Sequence, residues 1–293
     1  MTVDPHTPTC AGFDPHPRPV TERLPRGSCD THFHLFGPYQ SYPLQPKRGY
    51  TPPEASLDDY RRMCAVTGIE RAVLVQPSIY GADVSQLLDV LRSNRDWLCG
   101  IAVIDEDFSD ARLDELDCAG VRGFRLNYAL GGGMPLDRAH ALGARVKRLG
   151  WHVPMMFDLS TQPGFYQDWK DFPVPIVVDH MGQMPVRHGL QAPGFQGLLR
   201  LLREGRAYVK LSGVNRISAQ PYPHEDVLPF VRALVASHPQ RLLWGSDWPH
   251  PLVQPTPNDG DIANLIARWL PGQALREQVL VSNPAALYGF NPT

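Results

Sequence analysis

From residue 28 onward, short runs of β-branched and aliphatic residues alternate with longer amphipathic or polar segments. This alternation is typical of strands that alternate with helices in a parallel sheet. Helices cover both faces of such a sheet, so its strands appear as continuous apolar runs. Eight runs fit this description: 29–36, 72–76, 100–104, 123–127, 153–157, 176–180, 208–211 and 242–248.

Between these runs lie segments with helical periodicity, several of which end in glycine or in a last turn that carries Lys or Arg. The predicted helices include residues 57–67, 85–93, 110–119, 136–149, 195–203 and 227–237. Eight strands with intervening helices favour an α/β fold of the (β/α)8 TIM-barrel type over an open doubly wound sheet. The doubly wound dinucleotide fold is also the weaker choice because no glycine-rich phosphate motif follows the first run.

Prolines cluster after the first and the last of the eight runs, which predicts long loops there. In barrels the loops at the carboxyl ends of the strands form the active face, so these two loops are expected to wall a pocket. Residues 28–293 are expected to form a single barrel domain. Residues 1–27 have no apolar run and many prolines, which predicts an extended arm and neither a signal peptide nor a membrane span.

The composition restricts the class of partner. A formal net charge of −2 over 293 residues gives no basic field for nucleic acid or for an anionic membrane. The five cysteines are widely spaced and odd in number, which favours free thiols in a reducing compartment and predicts a cytoplasmic protein. A homo-oligomer remains open.

His32 and His34 lie near the end of the first predicted strand. Side chains two residues apart on a strand project from the same face, here the barrel interior, so the two imidazoles should converge. A lone histidine of this kind is more often a satisfied core residue. The His-x-His pair at a barrel-strand end instead favours a functional site.

Two more ionisable residues end apolar runs: His180 ends the sixth, and Asp247 lies near the end of the eighth. The core has no use for polar groups there, and the first and last strands become neighbours when the barrel closes. Strand alternation predicts that Asp179 points away from His180 and has a structural role. His250, in the loop after Asp247, is equally compatible with lining the pocket and with capping it.

These residues carry a resemblance to the amidohydrolase superfamily, through THFH, DHMG and GSDWPH. Within it, the chain looks closest to the 2-pyrone-4,6-dicarboxylate lactonases, which form a metal-independent or metal-sparing branch. The segments that carry this resemblance are HLFGP, YPLQPKRGYTP, VLVQPS, GFRLN, VPIVVDHMG, LWGSDWPHP and SNPAALYGF. The similarity spans nearly the whole chain from residue 28.

The resemblance implies that Asp247 is the general base for water and that His32, His34 and His180 polarise a lactone carbonyl. This division is chemically sensible, because a carboxylate accepts the proton of water and imidazole N–H groups stabilise an oxyanion. The same four groups could instead bind one Zn²⁺. The strand VPMMFDLS lacks the Lys or Glu that bridges two metals in binuclear relatives, so we expect no required cofactor, with a single zinc as the alternative.

Arg125 and Arg216 suit capture of an anionic substituent, since a guanidinium pairs with a carboxylate through two hydrogen bonds. The chain departs from the dicarboxylate lactonases at three substrate contacts. It has ALGGGMP in place of an arginine-bearing loop, MMFD in place of a tyrosine, and Tyr80 in place of a histidine. The complete predicted substrate-binding set is Arg125, Arg216, Tyr50, Asn127, Ser78, Tyr80 and His250.

The sequence therefore predicts a hydrolase that opens a small lactone carrying a carboxylate or sulfonate, such as a muconolactone-type or sugar-acid lactone. The lost contacts argue against the pyrone dicarboxylate itself. The alternative within enzymes is a zinc-dependent decarboxylase with a similar His-x-His, His and Asp set. A catalytically silent binding protein is the third hypothesis, and the retained Asp247 argues against it.

Overall fold

The computed structural model describes residues 7–128 and 134–291 and shows an α/β fold in which every strand pair is parallel. Nine strands are present in these ranges. They are β1 (Cys29–Phe33), β2 (Arg71–Val75), β3 (Leu98–Ala102), β4 (Val121–Phe124), β5 (Leu126–Asn127), β6 (Val153–Met156), β7 (Ile176–Val178), β8 (Ala207–Leu211) and β9 (Leu242–Trp244).

The strands form two sheets in chain order, β1 to β4 and β5 to β9. Isolated parallel bridges join the two sheets at both borders, between Gly123 and His152 and between Phe33 and Trp248. At the second border the backbone N–H of Asp247 donates to the carbonyl of His32 at 2.9 Å. The strands thus curl into a barrel, as predicted, and the end of the last strand lies against the end of the first.

The fourth predicted strand is divided at Arg125, which accounts for nine strands instead of eight. β4 pairs with β3, whereas β5 pairs with β6, so the chain changes partner within one run. The backbone N–H of Arg125 still donates to the carbonyl of Ala102 at 2.8 Å. The division leaves the Arg125 side chain at the carboxyl end of this strand pair, where the predicted pocket lies.

The helices lie between the strands. They are α1 (Leu57–Thr67), α2 (Ser85–Arg92), α3 (Asp110–Ala119), α4 (Leu136–Val146), α5 (Phe165–Trp169), α6 (Pro193–Arg203), α7 (Val214–Ile217), α8 (Leu228–Ser237), α9 (Asp259–Trp269), α10 (Gln273–Glu277) and α11 (Asn283–Tyr288). The six predicted helices are confirmed with small shifts at their ends. None of the helices in the described residues is long and apolar enough to cross a bilayer.

The predicted long loops after the first and last strands are confirmed: residues 34–56 separate β1 from α1, and residues 245–258 separate β9 from α9. The described part of the N-terminal segment, from residue 7, runs across both loops. It pairs through a Thr9–Thr51 bridge with the first loop, and the Thr256 hydroxyl of the second loop donates to the carbonyl of Gly12. Phe13 packs against Trp248 with ring centroids 5.0 Å apart.

Candidate active site

The two histidines of the His-x-His pair meet at the mouth of the barrel. His32 lies within β1, His34 lies just past its end, and both are buried. Their Nε2 atoms are 3.3 Å apart and their rings are nearly perpendicular. The Nδ1 of His34 lies 2.6 Å from the carbonyl oxygen of Val75 on β2. A carbonyl only accepts, so the neutral ring carries its proton on Nδ1 and presents an Nε2 lone pair to the site.

His180 reaches the same point from the opposite side of the mouth. β7 ends at Val178, and His180 takes a left-handed conformation (φ 53°) that turns its ring towards His32, with ring centroids 4.7 Å apart. Gly213, after β8, makes room for this ring, since a Cβ there would lie 2.7 Å from His180. The Ser212 hydroxyl is 2.9 Å from Nδ1 of His180 and anchors the ring.

Asp247 completes the cluster from the loop after β9. Its Oδ1 lies 3.6 Å from Nε2 of His180 and 3.8 Å from Nε2 of both His32 and His34. Its Oδ2 accepts from Nε and Nη2 of Arg216 at 2.9 and 2.8 Å. Oδ1 is buried and accepts no hydrogen bond from the described residues. One oxygen is thus held and the other faces three imidazoles.

Burial and neighbouring charges together determine the protonation states of this cluster. Burial lowers the pKa of His34 to about 3, that of His180 to about 4, and that of His32 well below its usual value. Burial alone would raise the pKa of Asp247, but the Arg216 guanidinium and the surrounding imidazoles outweigh it and lower that pKa. At neutral pH the site therefore holds three neutral imidazoles and one carboxylate.

Two charged residues behind His32 are not predicted as site residues. Lys210, near the carboxyl end of β8, donates from Nζ to Nδ1 of His32 at 3.0 Å. Asp179 lies 3.0 Å from Nζ and 3.3 Å from the same Nδ1. Strand alternation predicted only that Asp179 points away from His180 and is structural. The strand ends at Val178 and the chain then turns, so the Asp179 carboxylate lies behind His32. The signal for Lys210 was a lone cation within an apolar run.

Asp30 ties the ends of the first and last strands together beneath the cluster. Its carboxylate accepts from the backbone N–H groups of His32 and Ser246 at 2.9 Å and from the Tyr60 hydroxyl at 2.8 Å. Burial raises the pKa of Asp30 to about 6, and these hydrogen bonds oppose the rise. Gly245 is required beside it, because a Cβ there would lie 2.7 Å from His32 Cβ.

A cavity of about 110 Å³ opens in front of the cluster. Five of the seven predicted substrate-binding residues line it, together with His34, His180 and Asp247 from the cluster. The five are Tyr50, Ser78, Arg125, Asn127 and Arg216, and Met156, Gln183, Pro251 and Leu252 complete the wall.

Arg125 is the cation best placed for an anionic substrate. Its side chain is nearly buried, its Nε–H donates to no acceptor among the described residues, and its Nη2 donates to the Met156 sulfur at 3.4 Å. Arg216 is instead engaged by Asp247 and by the carbonyl of Pro251. The two predicted anion-binding arginines therefore differ, and one of them serves the carboxylate.

Two predicted substrate-binding residues do not line the cavity. The Tyr80 hydroxyl accepts from the backbone N–H of Gly37 at 2.8 Å. His250 places Nε2 2.9 Å from Oδ1 of Asp259 at the start of α9, with both side chains buried. His250 was compatible with lining the pocket or with capping it, and its contact with Asp259 fits the role of capping the pocket. The glycine run at 131–133 lies outside the described residues.

The donor atoms fit a small divalent cation in number and spacing. One ligand atom each from His32, His180 and Asp247 lies within 4.8 Å of the others, and Nε2 of His34 adjoins them. A tetrahedral ion with bonds of about 2.1 Å places its ligands about 3.4 Å apart. The unpartnered Oδ1 of Asp247 is the donor that such an ion would engage.

A sequence model of the amidohydrolase family ("Amidohydrolase") matches residues 29–290. The chain is 36% identical to a 4-sulfomuconolactone hydrolase of Rhizobium radiobacter over 288 residues, which covers 96% of each chain. It is 33% identical to a 2-pyrone-4,6-dicarboxylate hydrolase of Comamonas testosteroni over 294 residues, again 96% of each.

Solved structures agree with this placement. A crystal structure from Agrobacterium tumefaciens superposes with a TM-score of 0.86 at 29% identity and covers 94% of this chain and 100% of the other. A Burkholderia multivorans amidohydrolase with bound Zn shares the fold, with a TM-score of 0.68 at 18% identity, and covers 90% of this chain and 99% of the other. The chain belongs to the amidohydrolase family.

Proposed function

We propose that the protein is a hydrolase that opens a compact lactone carrying a carboxylate or sulfonate, with Asp247 as the general base. The observation that carries this proposal is the buried Oδ1 of Asp247, which accepts no hydrogen bond from the described residues and faces three neutral imidazoles. Asp247 lines a cavity together with two of these imidazoles, His34 and His180, and the Arg125 guanidinium. Relatives above 30% identity that are named as lactone hydrolases support the same reaction class.

The geometry suits a water molecule held between two acceptors. Oδ1 of Asp247 and the lone pair on Nε2 of His34 are 3.8 Å apart, so one water can donate a proton to each. Its oxygen lone pair then points at the substrate carbonyl. His34 thus acts as an acceptor, which differs from the carbonyl-polarising role that the resemblance implied for it.

His32 and His180 act on the carbonyl from Nε2–H. Their rings meet at the same point, and donors directed at a developing oxyanion lower the barrier of acyl transfer. Water oxygen bonds to the carbonyl carbon while its proton passes to Asp247. The ring C–O bond then breaks, the same proton passes to the leaving oxygen, and the product is an open-chain hydroxy acid or its keto form.

The pocket selects the substrate class. Among the described residues no carboxylate pairs with the Arg125 guanidinium, whereas Arg216 is occupied by Asp247, which argues for a single strongly bound anionic group. Burial raises the pKa of Tyr50, so its hydroxyl stays protonated and can donate to substrate. Ser78 and Asn127 add polar contacts, and the cavity of about 110 Å³ requires a small ring.

We propose further that turnover requires no metal, because the site already contains a base, an activated water position and carbonyl donors. If zinc binds, His32, His34, His180 and Asp247 would hold it, and it would supply Lewis acidity.

All five cysteines are unpaired, which supports a reducing, cytoplasmic location.

A lactone panel tests the function. The panel contains muconolactone and D-galactarolactone, which carry one carboxylate each, and 4-sulfomuconolactone and 2-pyrone-4,6-dicarboxylate, which carry two anionic groups each. All are assayed by proton release with and without a chelator. We expect turnover of the singly anionic muconolactone, retained after chelation and lowered by about 10³-fold in D247N. Failure to open any anionic lactone would overturn the proposal, and CO₂ release that depends on zinc would replace it with the decarboxylase.

A further inference from the structure

We propose that Lys210 is a positioning residue that fixes the tautomer of His32, so that His32 serves as an N–H donor to substrate and is a poor metal ligand. The inference rests on the proposed lactone hydrolysis. Its tests below measure a proton position and a metal affinity, so they succeed or fail independently of whether the correct lactone is found.

In the hydrogen bond between Lys210 and His32, only the lysine can be the donor. The Lys210 side chain is wholly buried in the barrel, and its Nζ lies 3.0 Å from Nδ1 of His32 in a hydrogen bond. An ammonium group has three donors and no acceptor. Nδ1 of His32 must therefore accept, which leaves the proton of the neutral ring on Nε2.

Asp179 is the competitor for the same nitrogen. Its Oδ1 lies 3.3 Å from Nδ1 of His32 and could accept a proton from it. Oδ1 also pairs with Nζ of Lys210 at 3.0 Å, although neither carboxylate oxygen makes a hydrogen bond of good geometry. Lys210 thus donates to Nδ1 of His32 and neutralises the Asp179 carboxylate. Without the lysine, Asp179 would accept a proton from Nδ1 and so favour the other tautomer.

The tautomer determines what the mouth can bind. With the proton on Nε2, His32 donates towards His34, 3.3 Å away, or towards a substrate oxygen that takes its place. A metal instead requires the Nε2 lone pair and an Nδ1–H directed at a second group, commonly a carboxylate. Removing Lys210 would leave Asp179 in that position and would convert His32 into a metal ligand.

Two variants of the buried pair have opposite expected effects on zinc affinity. In K210M, Asp179 accepts from Nδ1–H of His32, and zinc should bind on the order of 10- to 100-fold more tightly than to the wild type. In D179N, Lys210 keeps the tautomer and loses its counter-charge, so zinc should bind no more tightly than to the wild type. A general loosening of the barrel would weaken binding in both variants.

The experiment is a zinc titration of each purified full-length variant against a chromophoric chelator, with K210R as the matched control that keeps the donors. Wild-type protein labelled with ¹⁵N-histidine gives the His32 tautomer directly by NMR, assigned with H32Q, even if K210M does not fold. We expect Nε2–H in the wild type and in K210R. Once an accepted lactone is in hand, K210M should in addition lose kcat with little change in KM. An Nδ1–H tautomer in the wild type, or a zinc affinity in K210M equal to or below that of the wild type, would overturn the proposal.

Discussion

The barrel interior has buried histidines in two regions, the mouth and the lower interior, and the two regions hold them differently. At the mouth, each Nδ1 has a partner: Lys210 for His32, the Val75 carbonyl for His34 and the Ser212 hydroxyl for His180. In the lower interior, His152 precedes β6 and packs edge-on against Tyr288 at 4.8 Å. Neither of its ring nitrogens has a partner among the described residues.

The difference shows that burial by itself does not distinguish the histidines of the proposed site from the others. Burial lowers the pKa to about 3 for both His34 and His152, so the two rings share a charge state. They differ in orientation, because only His34 has an Nδ1 partner that aims Nε2 at a carboxylate. A directed partner, more than the pKa, therefore distinguishes the proposed catalytic region.

The largest expected effect comes from removing the base at the mouth. D247N should lower kcat by about 10³-fold, because the amide cannot take the proton of water although it can still accept from Arg216. Steady-state kinetics on the accepted lactone give kcat, and a thermal melt checks folding. A loss below tenfold would show that the mouth cluster does not supply the base.

The matched pair H34Q and H152Q tests the comparison directly. H34Q should lower kcat by about 10²-fold, since it removes an acceptor for the attacking water, whereas H152Q should leave kcat within about twofold. Both variants replace a neutral buried imidazole by an amide. Equal losses in the two variants would contradict the distinction between the regions.

R125M should raise KM for an anionic lactone by about 10- to 100-fold and leave kcat nearly unchanged. The lost contact is a hydrogen-bonded charge pair, worth roughly 1.5 to 3 kcal/mol. A neutral lactone of the same ring size is the control and should show little change. If both lactones lost affinity equally, Arg125 would have a structural role.

G213A should lower kcat by roughly tenfold, because a Cβ would lie 2.7 Å from His180 and displace its ring. G150A is the matched control, since Gly150 also has a positive φ (69°) but has no atoms within 4 Å of a Cβ. Both variants should lose about 1 kcal/mol of stability from the left-handed backbone. Only G213A should lose activity, and an equal loss in G150A would show that displacement of His180 is not the cause.

The smallest effect concerns pH and stability. The pKa of His152 is lowered to about 3 in the folded chain, whereas the unfolded value is about 6.5, so the unfolded state binds the extra proton between these values. Stability from this residue is present above pH 6.5 and is lost as the pH falls towards 3. The unfolding free energy therefore rises with pH in this range, and H152Q should reduce this rise by about 1.4 kcal/mol per pH unit near pH 5. The unfolding free energy is measured by urea titration at a series of pH values. If its dependence on pH were the same in H152Q and the wild type, His152 would not be held neutral.

Helix boundaries were predictable where the chain carries its own caps. α1 and α3 match their predicted ranges because Ser56 and Ser109 cap their first turns and Gly68 and Gly120 follow their last residues. The roles of Lys210 and Asp179 were not predictable in this way. They depend on which residues meet across the barrel from strands far apart in the chain.

The order of strands and helices, the barrel class and the placing of His32, His34, His180 and Asp247 near strand ends were determined by the sequence, because hydrophobic periodicity and capping act over a few residues. The tertiary structure decided the protonation geometry. It pairs Arg216 with Asp247, directs Lys210 at His32 and leaves Arg125 for substrate. These contacts join residues brought together only when the barrel closes, and hydrogen bonding depends on distances that no local pattern encodes.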